Sequence, residues 1–199
     1  MGLPIERLII ATNENDILVR TLANGRYAPN GVKATQSPSM DIQVSSNFER
    51  LLFEASGRDP REVVARMSEL AKEGSFMIPA SALARIRADF DAFRVDERAC
   101  AEEMGRVYRT SGMIIDPHSA VGVHAARRAL GPTPATPVVA LATAHPAKFP
   151  DAVERATGVR PPLPERLSDL MERKEAIVVL PNDSRAVADY LRQTARAAA

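Results

Sequence analysis

The sequence predicts an α/β fold in which a mostly parallel sheet is covered by helices. Two observations support this prediction. Short apolar runs alternate with longer stretches in which apolar residues recur at helical spacing. Polar clusters also follow three of these runs directly, and the carboxyl ends of parallel strands meet at one edge of a sheet.

Five short apolar runs are the strand candidates. They are residues 8–12, 75–78, 112–116, 137–143 and 177–180. The run at 137–143, which contains Val138 and Val139, is expected to be the main buried strand. The stretches of helical period between and after these runs predict helices, the last of them at 118–130, 149–157, about 165–174 and 184–197.

The predicted helices begin and end at residues suited to helix termini. Ser46 and Glu49 have the S-x-x-E spacing of a capping box, and Pro60 suits the first turn of the next helix. Gly25 and Gly74 each follow a helical stretch, where glycine is a favoured stop.

The middle of the chain, about residues 45–111, is expected to form a helical insert. Apolar stripes at helical spacing support this, one of them running through Leu83, Ile86, Phe90 and Phe93. Such stripes are typical of core faces and not of cofactor-binding surfaces.

Composition and charge exclude several classes of protein. The 26 basic side chains nearly balance the 25 acidic ones and are scattered among them, so we expect neither nucleic acid nor a membrane as partner. The single cysteine, Cys100, precludes an internal disulfide framework. The chain has 199 residues and no long apolar stretch, and we expect it to be a cytoplasmic protein.

Three polar clusters are the candidate site. They lie at residues 13–16, 116–119 and 143–145, each directly after an apolar run. If those runs are parallel strands, the clusters emerge at one edge of the sheet, where ligands of such folds bind. The alternative is that residues such as Asn15 and Ser119 are only helix caps.

Several kinds of chemistry have no support in this sequence. His118, His124 and His145 stand at no familiar metal-ligand spacing, so no metal site is expected, and Cys100 falls on an apolar helix face. Neither a nucleophile elbow nor a glycine-rich phosphate loop occurs.

Four stretches in order resemble the threonine synthase family. They are Met1–Arg20, Ser37–Phe53 with its Ser-Pro-Ser-Met-Asp start, Asp116-Pro-His-Ser-Ala-Val-Gly122, and Leu141-Ala-Thr-Ala-His-Pro-Ala-Lys-Phe149. The resemblance implies a pyridoxal-phosphate enzyme of the fold type of the tryptophan synthase β-subunit. It also implies conversion of O-phosphohomoserine and water to threonine and phosphate.

The resemblance further implies that the chain is the carboxy-terminal part of such an enzyme. In the family, the lysine that forms the Schiff base with the cofactor and the glycine-rich loop for its phosphate lie in the amino-terminal half. The sequence after Met1 resembles a region beyond both. We therefore expect the missing amino-terminal half as a partner, no activity of this chain alone, no covalent role for Lys148, and non-native self-association through exposed surface.

The resemblance suggests roles for ten residues, none of them catalytic. Thr143 is expected to meet the pyridine nitrogen of the cofactor, the alternative being that it satisfies a strand end. The other expected cofactor-binding residues are Asn13, Asn15 and Asp16. The expected substrate-binding residues are Ser37, Ser39, Asp41, Arg50, His118 and His145. Ser37, Ser39 and Asp41 are expected to contact the substrate or to order the loop that covers it, and Arg50 is a candidate for the substrate phosphate.

A rival hypothesis belongs to another class of protein. The chain would be a self-contained α/β module that binds a small ligand or a partner and performs no catalysis. It predicts a closed core, whereas the carboxy-terminal-part hypothesis predicts exposed apolar surface.

Overall fold

The computed structural model describes residues 4–130 and 136–195, which belong to two units. The first unit is Met1–Pro162 and the second is Leu163–Ala199. Strands and helices alternate in the first unit. Its elements are β1 (Leu8–Thr12), α1 (Ile17–Asn24), β2 (Arg26–Tyr27), α2 (Phe48–Ala55), α3 (Pro60–Glu73), β3 (Phe76–Met77), α4 (Ala80–Asp89), β4 (Phe90–Arg94), α5 (Glu97–Ser111), α6 (Pro117–Leu130) and α7 (Pro150–Thr157).

A parallel strand pair positions the site. Strands β1 and β4 pair in parallel from Leu8 opposite Phe90 to Thr12 opposite Arg94. The pairing extends one residue further, because the Val95 backbone N–H donates to the Thr12 carbonyl over 2.9 Å. Strands β2 and β3 form a separate antiparallel pair. The prediction of an α/β fold with parallel strands and covering helices is thus confirmed.

Strand β4 replaces the helix that was predicted through Phe93. Helix α4 ends at Asp89, and Phe90 is extended, with φ −121° and ψ 134°. Residues three apart lie on opposite faces of a strand, so Phe90 and Phe93 mimicked a helical stripe. Phe90 packs against the buried apolar cluster that contains Tyr27 and Phe76, whereas the Phe93 ring lies 5.0 Å from the Arg128 guanidinium. The aromatic side chains and the free edge of β1 favour the strand.

Three of the predicted strands are wrong. Residues 112–116 follow α5 as an irregular segment, because half-buried Ile114 and Ile115 pack on the second core instead of pairing with a strand. Residues 137–143 and 177–180 are also irregular. An apolar run becomes a strand only when another strand pairs with it, and the described residues provide none for these two runs.

Helix termini are partly as predicted. Gly25 ends α1 with φ 79°, a conformation that favours glycine, and Pro60 begins α3. The capping box is wrong: α2 starts after Asn47, whose side chain makes no cap hydrogen bond. The helix predicted up to Lys174 is wrong as well, since only a 3-10 turn at Glu165–Leu167 forms there.

Two apolar cores stabilise the first unit. In the first core, Tyr27 is stacked between Phe48 and Phe76, with ring centroids 5.2 and 4.9 Å away. The second core is packed between β1, α5, α6 and α7. Its fully or nearly fully buried members are Val95, Cys100, Met104, Ala120, Val121 and Val153.

The described residues of the second unit contain one α-helix and no buried side chain. Its one helix among the described residues is α8 (Ser184–Thr194), which begins where Asp183 accepts a hydrogen bond from the Arg185 N–H. No side chain between residues 163 and 195 is buried. Residues 163–195 of the second unit therefore form no core of their own. The predicted end of its last helix, at residues 196–197, lies outside the described residues.

No helix within residues 4–130 and 136–195 combines the length and the apolar character needed to cross a bilayer.

Substituting Ala for each of two helical glycines should change the free energy of unfolding in opposite directions. A Cβ on Gly105 of α5 would lie 2.8 Å from the Ala156 carbonyl oxygen of α7, whereas a Cβ on Gly122 of α6 would meet nothing within 4 Å. We expect Gly105→Ala to lower the free energy of unfolding by about 1–3 kcal/mol through overpacking. Gly122→Ala is the matched control and should raise it by about 0.5–1 kcal/mol. Urea unfolding of both variants measures this, and equal effects would contradict the close α5–α7 contact.

Candidate functional site

The Asp41 carboxylate connects the end of β1 to the loop of residues 28–42. Its Oδ1 atom accepts hydrogen bonds from Asn13 Nδ2 over 2.7 Å, Asn15 Nδ2 over 3.0 Å and Thr35 Oγ1 over 2.7 Å. Its Oδ2 atom accepts from the Thr35 backbone N–H over 2.8 Å. Asn13 Nδ2 also donates to Ser37 Oγ over 3.0 Å. We call Asn13, Asn15, Thr35, Ser37 and Asp41 the Asp41 network.

The two asparagines use their amides to hold backbone. The Asn15 N–H donates to Asn13 Oδ1 over 2.8 Å, which closes an Asx turn directly after β1. The Asn15 side chain donates to the Lys33 carbonyl and accepts from the Lys33 N–H, both over 2.8 Å. Because both asparagines are buried, their amides would be costly to leave unpaired, and the sequence therefore folds the 28–42 loop onto them.

The histidine of the second polar cluster reaches the same loop. His118 Nδ1 lies 2.7 Å from Asp116 Oδ2, and His118 Nε2 accepts a hydrogen bond from the Ser39 backbone N–H over 3.2 Å. These two partners require the neutral tautomer with its proton on Nδ1. Asp116 also accepts hydrogen bonds from the backbone N–H groups of His118 and Ser119, and from the Ser119 hydroxyl. A buried carboxylate thus orients His118 at the start of α6.

The segment that follows the third polar cluster contacts His118 through an aromatic ring. The Phe149 ring lies 4.6 Å from the His118 ring, at a tilt of 50°. The preceding 3-10 turn, Pro146–Lys148, begins at exposed His145, whose Nδ1 accepts from the Ala147 N–H over 3.2 Å. Thr143 is exposed, and its hydroxyl has no hydrogen bond to the described residues.

The first two clusters are therefore brought together, although not by the predicted route. Only the first cluster follows a strand in the structure, namely β1. The loop of residues 35–41 links the first cluster to the second, because Ser37 binds Asn13 and Ser39 binds His118. We expected the ends of three parallel strands to bring the three polar clusters together. This is wrong, because residues 112–116 and 137–143 are not strands.

Four of the expected site residues lie outside these contacts, namely Thr143 and His145, which are described above, and Asp16 and Arg50. Asp16 is held by Arg20, with Nε to Oδ1 at 2.8 Å, so it belongs to an ion pair beside the Asp41 network. Arg50 is exposed on α2 and donates to Asn47 Oδ1 over 2.8 Å. Within the described residues the structure does not bring Arg50 to the Asp41 network or to His118.

Sequence reasoning missed Thr35 and Glu97. Thr35 donates twice to Asp41, and Glu97 Oε2 accepts from both the backbone and the side-chain nitrogen of Gln36 over 3.0 Å. A Thr-x-Ser segment before Pro38 is a signal for side-chain-capped turns. Nothing local indicates Glu97, because its partner is far away in the sequence.

Among the described residues, the candidate site lines neither of the two surface clefts found beside strand β4. Two clefts lie along β4, one lined by Phe93, Arg94 and Arg128 and the other by Arg7 and Asp91. Neither includes a residue of the Asp41 network or His118. No group of three or more metal-ligating side chains occurs in the part of the chain that the structure describes. The arrangement can position polar groups at one surface, but it does not by itself surround a ligand.

Removing the Asp41 carboxylate should loosen the whole loop. Asp41→Ala leaves the Asn13, Asn15 and Thr35 donors without their shared acceptor, so we expect the free energy of unfolding to fall by at least about 2 kcal/mol. Protease cleavage within residues 28–42 should accelerate as well. Ser39→Ala is the control, since only the Ser39 backbone is used. If residues 28–42 resisted protease equally in the Asp41→Ala and Ser39→Ala variants, the Asp41 carboxylate would not hold this loop in place.

Cys100 should be chemically inert in the folded chain. Burial, with smaller contributions from the Glu97 and Asp116 carboxylates, raises the pKa of the Cys100 thiol to about 12. The thiol is therefore neutral at pH 8, and alkylation by iodoacetamide should be about a thousandfold slower than for a free cysteine. In urea the ordinary rate should return. Fast alkylation of the folded chain would contradict the burial.

Comparison with known proteins gives one consistent family. Residues 119–191 match the family model "Threonine synthase, C-terminal". Threonine synthase of Pseudomonas aeruginosa is 44% identical over 197 residues, which cover 97% of this chain and 41% of that protein. The chain thus spans about two fifths of the length of this relative.

Two solved structures are similar to this chain in both amino-acid sequence and backbone. A crystal structure of pyridoxal phosphate (PLP)-bound threonine synthase from Brucella melitensis matches with a TM-score of 0.86 and 53% identity, over 98% of this chain and 42% of that chain. Yeast threonine synthase matches with a TM-score of 0.83 and 37% identity, over 97% of this chain and 43% of that chain. The chain belongs to the threonine synthase family and matches the carboxy-terminal part of its members.

Proposed function

We propose that this chain acts as the carboxy-terminal part of a PLP-dependent threonine synthase, which converts O-phospho-L-homoserine and water to L-threonine and phosphate. The observation that carries the proposal is the convergence of the Asp41 network and His118 in a chain with 53% identity to a PLP-bound threonine synthase. When bound, PLP supplies an electron sink for chemistry at the carbon atoms of an amino acid.

The residues present fit one side of a PLP site. Thr143 offers an exposed hydroxyl with no partner among the described residues, which is the neutral donor that the pyridine nitrogen would need. We propose that Thr143 holds that nitrogen. All four lysines, Lys33, Lys72, Lys148 and Lys174, are exposed, whereas a Schiff-base lysine works inside a desolvated pocket. We therefore propose that this lysine and the phosphate loop belong to the amino-terminal part.

We assign two kinds of role to the polar residues after β1. The amides of Asn13 and Asn15 are occupied by partners within the chain, and Asp16 is paired with Arg20. In our proposal these three residues shape the cofactor side of the site, with Asn13 and Asn15 holding the 28–42 loop in place. Any direct cofactor contact would have to compete with these bonds.

The exposed polar groups are the better placed for substrate. Ser39, whose backbone N–H donates to His118, and His145 are exposed, whereas Ser37 and Asp41 are engaged in the Asp41 network. We propose that Ser39 and His145 meet the substrate while Ser37, Asp41 and His118 position them. Arg50 would reach the substrate phosphate only if the covering part of the protein brings α2 closer to the site.

Three coarser features complete the proposal. We propose a helical insert at about residues 45–111, where α2 to α5 and strands β3 and β4 lie. We propose a cytoplasmic setting, because the single cysteine is a buried free thiol. The amino-terminal part is the partner that the activity requires, and without it the chain is expected to be inactive and prone to self-association.

A chimera tests the activity. The amino-terminal part of Brucella melitensis threonine synthase that this chain does not match is placed before Met1, and phosphate release from O-phosphohomoserine is measured with PLP. We expect release by the chimera and none by the separate chain. Thr143→Ala should lower kcat by about 10–100-fold, since it removes a hydrogen bond of roughly 1–3 kcal/mol. Thr143→Ser should restore most of the activity.

The control is Thr110→Ala, because Thr110 bonds only to its own helix, α5. Phosphate release by the separate chain would contradict the assignment of the lysine to the amino-terminal part. A chimera that folds and binds PLP but releases no phosphate would contradict the proposed reaction.

A further inference from the structure

Strand β4 forms one edge of its two-stranded sheet. In the part of the chain that the structure describes, β4 pairs with β1 on one side and with no strand on the other. About half of the backbone N–H and C=O groups of such a strand point away from its neighbour, and a further strand can pair with them. Outside the ladder with β1, the backbone of residues 91–94 makes no hydrogen bond to another described backbone group. The outer edge of β4 is therefore open to pairing.

A groove runs along this outer edge. The two clefts beside β4 share Val19 and Ala92, and together they include every residue of the strand from Phe90 to Arg94. We call the two clefts together the β4 groove. Successive side chains of a strand point to opposite faces, so a groove that touches all five residues lies at the edge of the strand and not over one face. Residues 90–93 are half-buried, which leaves apolar surface in the groove for a ligand to cover.

Two arginines give one end of the β4 groove an excess of positive charge. The Arg128 guanidinium lies over the Phe93 ring, 5.0 Å from its centroid, and forms no ion pair with a described carboxylate. Arg94 is 48% exposed, and the carboxylates of Glu14 and Asp16 are 3.8 and 3.9 Å from it. These long contacts leave the Arg94 guanidinium able to bind another carboxylate bidentately. We call Arg94 and Arg128 the groove arginines.

The other charged groups of the β4 groove are already engaged. Asp91 is bound by Arg7, whose Nε and Nη2 atoms donate to the two carboxylate oxygens over 2.8 and 2.9 Å. Asp96 accepts from the Ala99 N–H over 2.8 Å and so caps α5. Arg87 donates to the last carbonyls of α1. The charge that remains for a ligand to balance is therefore that of the groove arginines.

We propose that the β4 groove binds an extended acidic peptide segment of another protein, which adds to β4 as a further strand and places its carboxylates beside the groove arginines. Backbone pairing with the strand edge supplies the affinity, and the charge pairs fix where along the edge the peptide lies. A second copy of this chain fits less well, because it would bring the same arginines to the groove. The β4 groove contains no residue of the Asp41 network, so the proposal does not depend on the proposed function.

A labelled probe peptide tests the proposal. The probe is a short peptide of alternating Glu and Val, blocked at both ends, and fluorescence anisotropy measures its binding to the chimera and to the separate chain after circular dichroism has established folding. We expect saturable binding to each folded protein, and this binding should weaken as salt is added, because exposed charges are screened. Hydrogen–deuterium exchange identifies the place: with the probe bound, outward amides of residues 91–94 should exchange at least about tenfold more slowly.

Variants of the protein and of the probe separate the two parts of the proposal. Arg94→Glu and Arg128→Glu should each weaken binding at least about tenfold, since each replaces an attraction by a repulsion. Arg106→Glu is the matched control, because Arg106 is also an exposed arginine but lines neither cleft, and it should leave the affinity unchanged. A probe with Lys in place of Glu should not bind. A probe with methylated backbone nitrogens keeps its charge but cannot donate to a strand, and it should not bind either.

Three outcomes would overturn the proposal. If the folded protein does not bind the Glu–Val probe, the arginines only guard the edge of β4 against pairing. If the methylated probe binds as tightly as the unmethylated one, the contact is electrostatic and adds no strand. If exchange of residues 91–94 slows with rising protein concentration in the absence of any probe, the occupant of the groove is a second copy of the chain.

Discussion

The Asp41 carboxylate is the group on which the candidate site depends. One of its oxygens accepts from Asn13, Asn15 and Thr35, so the turn after β1 and the 28–42 loop are held by a single anion. The loop in turn carries Ser37 to Asn13 and the Ser39 N–H to His118. Because the donors on Asn13, Asn15 and Thr35 share this acceptor and also bond to further groups of the loop, the hydrogen bonds support one another. The polar surface is thus built by a loop laid across the end of one strand pair.

The parts of the fold that depend on local chemistry were predictable. Helix α3 begins at Pro60 and ends at Glu73, directly before Gly74, and both Pro60 and Gly74 can be recognised from the sequence alone. Strand β1 was predictable for the same reason, since it is a short apolar run that ends at polar residues. The α/β class followed from this alternation.

The remaining parts depend on partners that a sequence pattern does not identify. Residues 137–143 and 177–180 have the composition of strands but lack a neighbouring strand in the described chain. Phe90 and Phe93 fit a helical stripe as well as a strand, and only the edge of β1 decides between them. In the site, the bond between Gln36 and Glu97 joins residues 61 positions apart, so no local spacing could predict it. The residue types after the apolar runs indicated the polar clusters of Asn13 and His118. That the loop of residues 35–41 joins these two clusters could be learned only from the structure.

The absence of buried side chains between residues 163 and 195 has a thermodynamic consequence. Heat absorbed on unfolding and the accompanying rise in heat capacity come from surface that the folded state hides from water. The second unit hides little, so it adds little to either quantity. A calorimetric transition of this chain is therefore a property of the first unit, with its two cores. Residues 163–195 would contribute to the heat of unfolding only where they pack against a core formed by other residues.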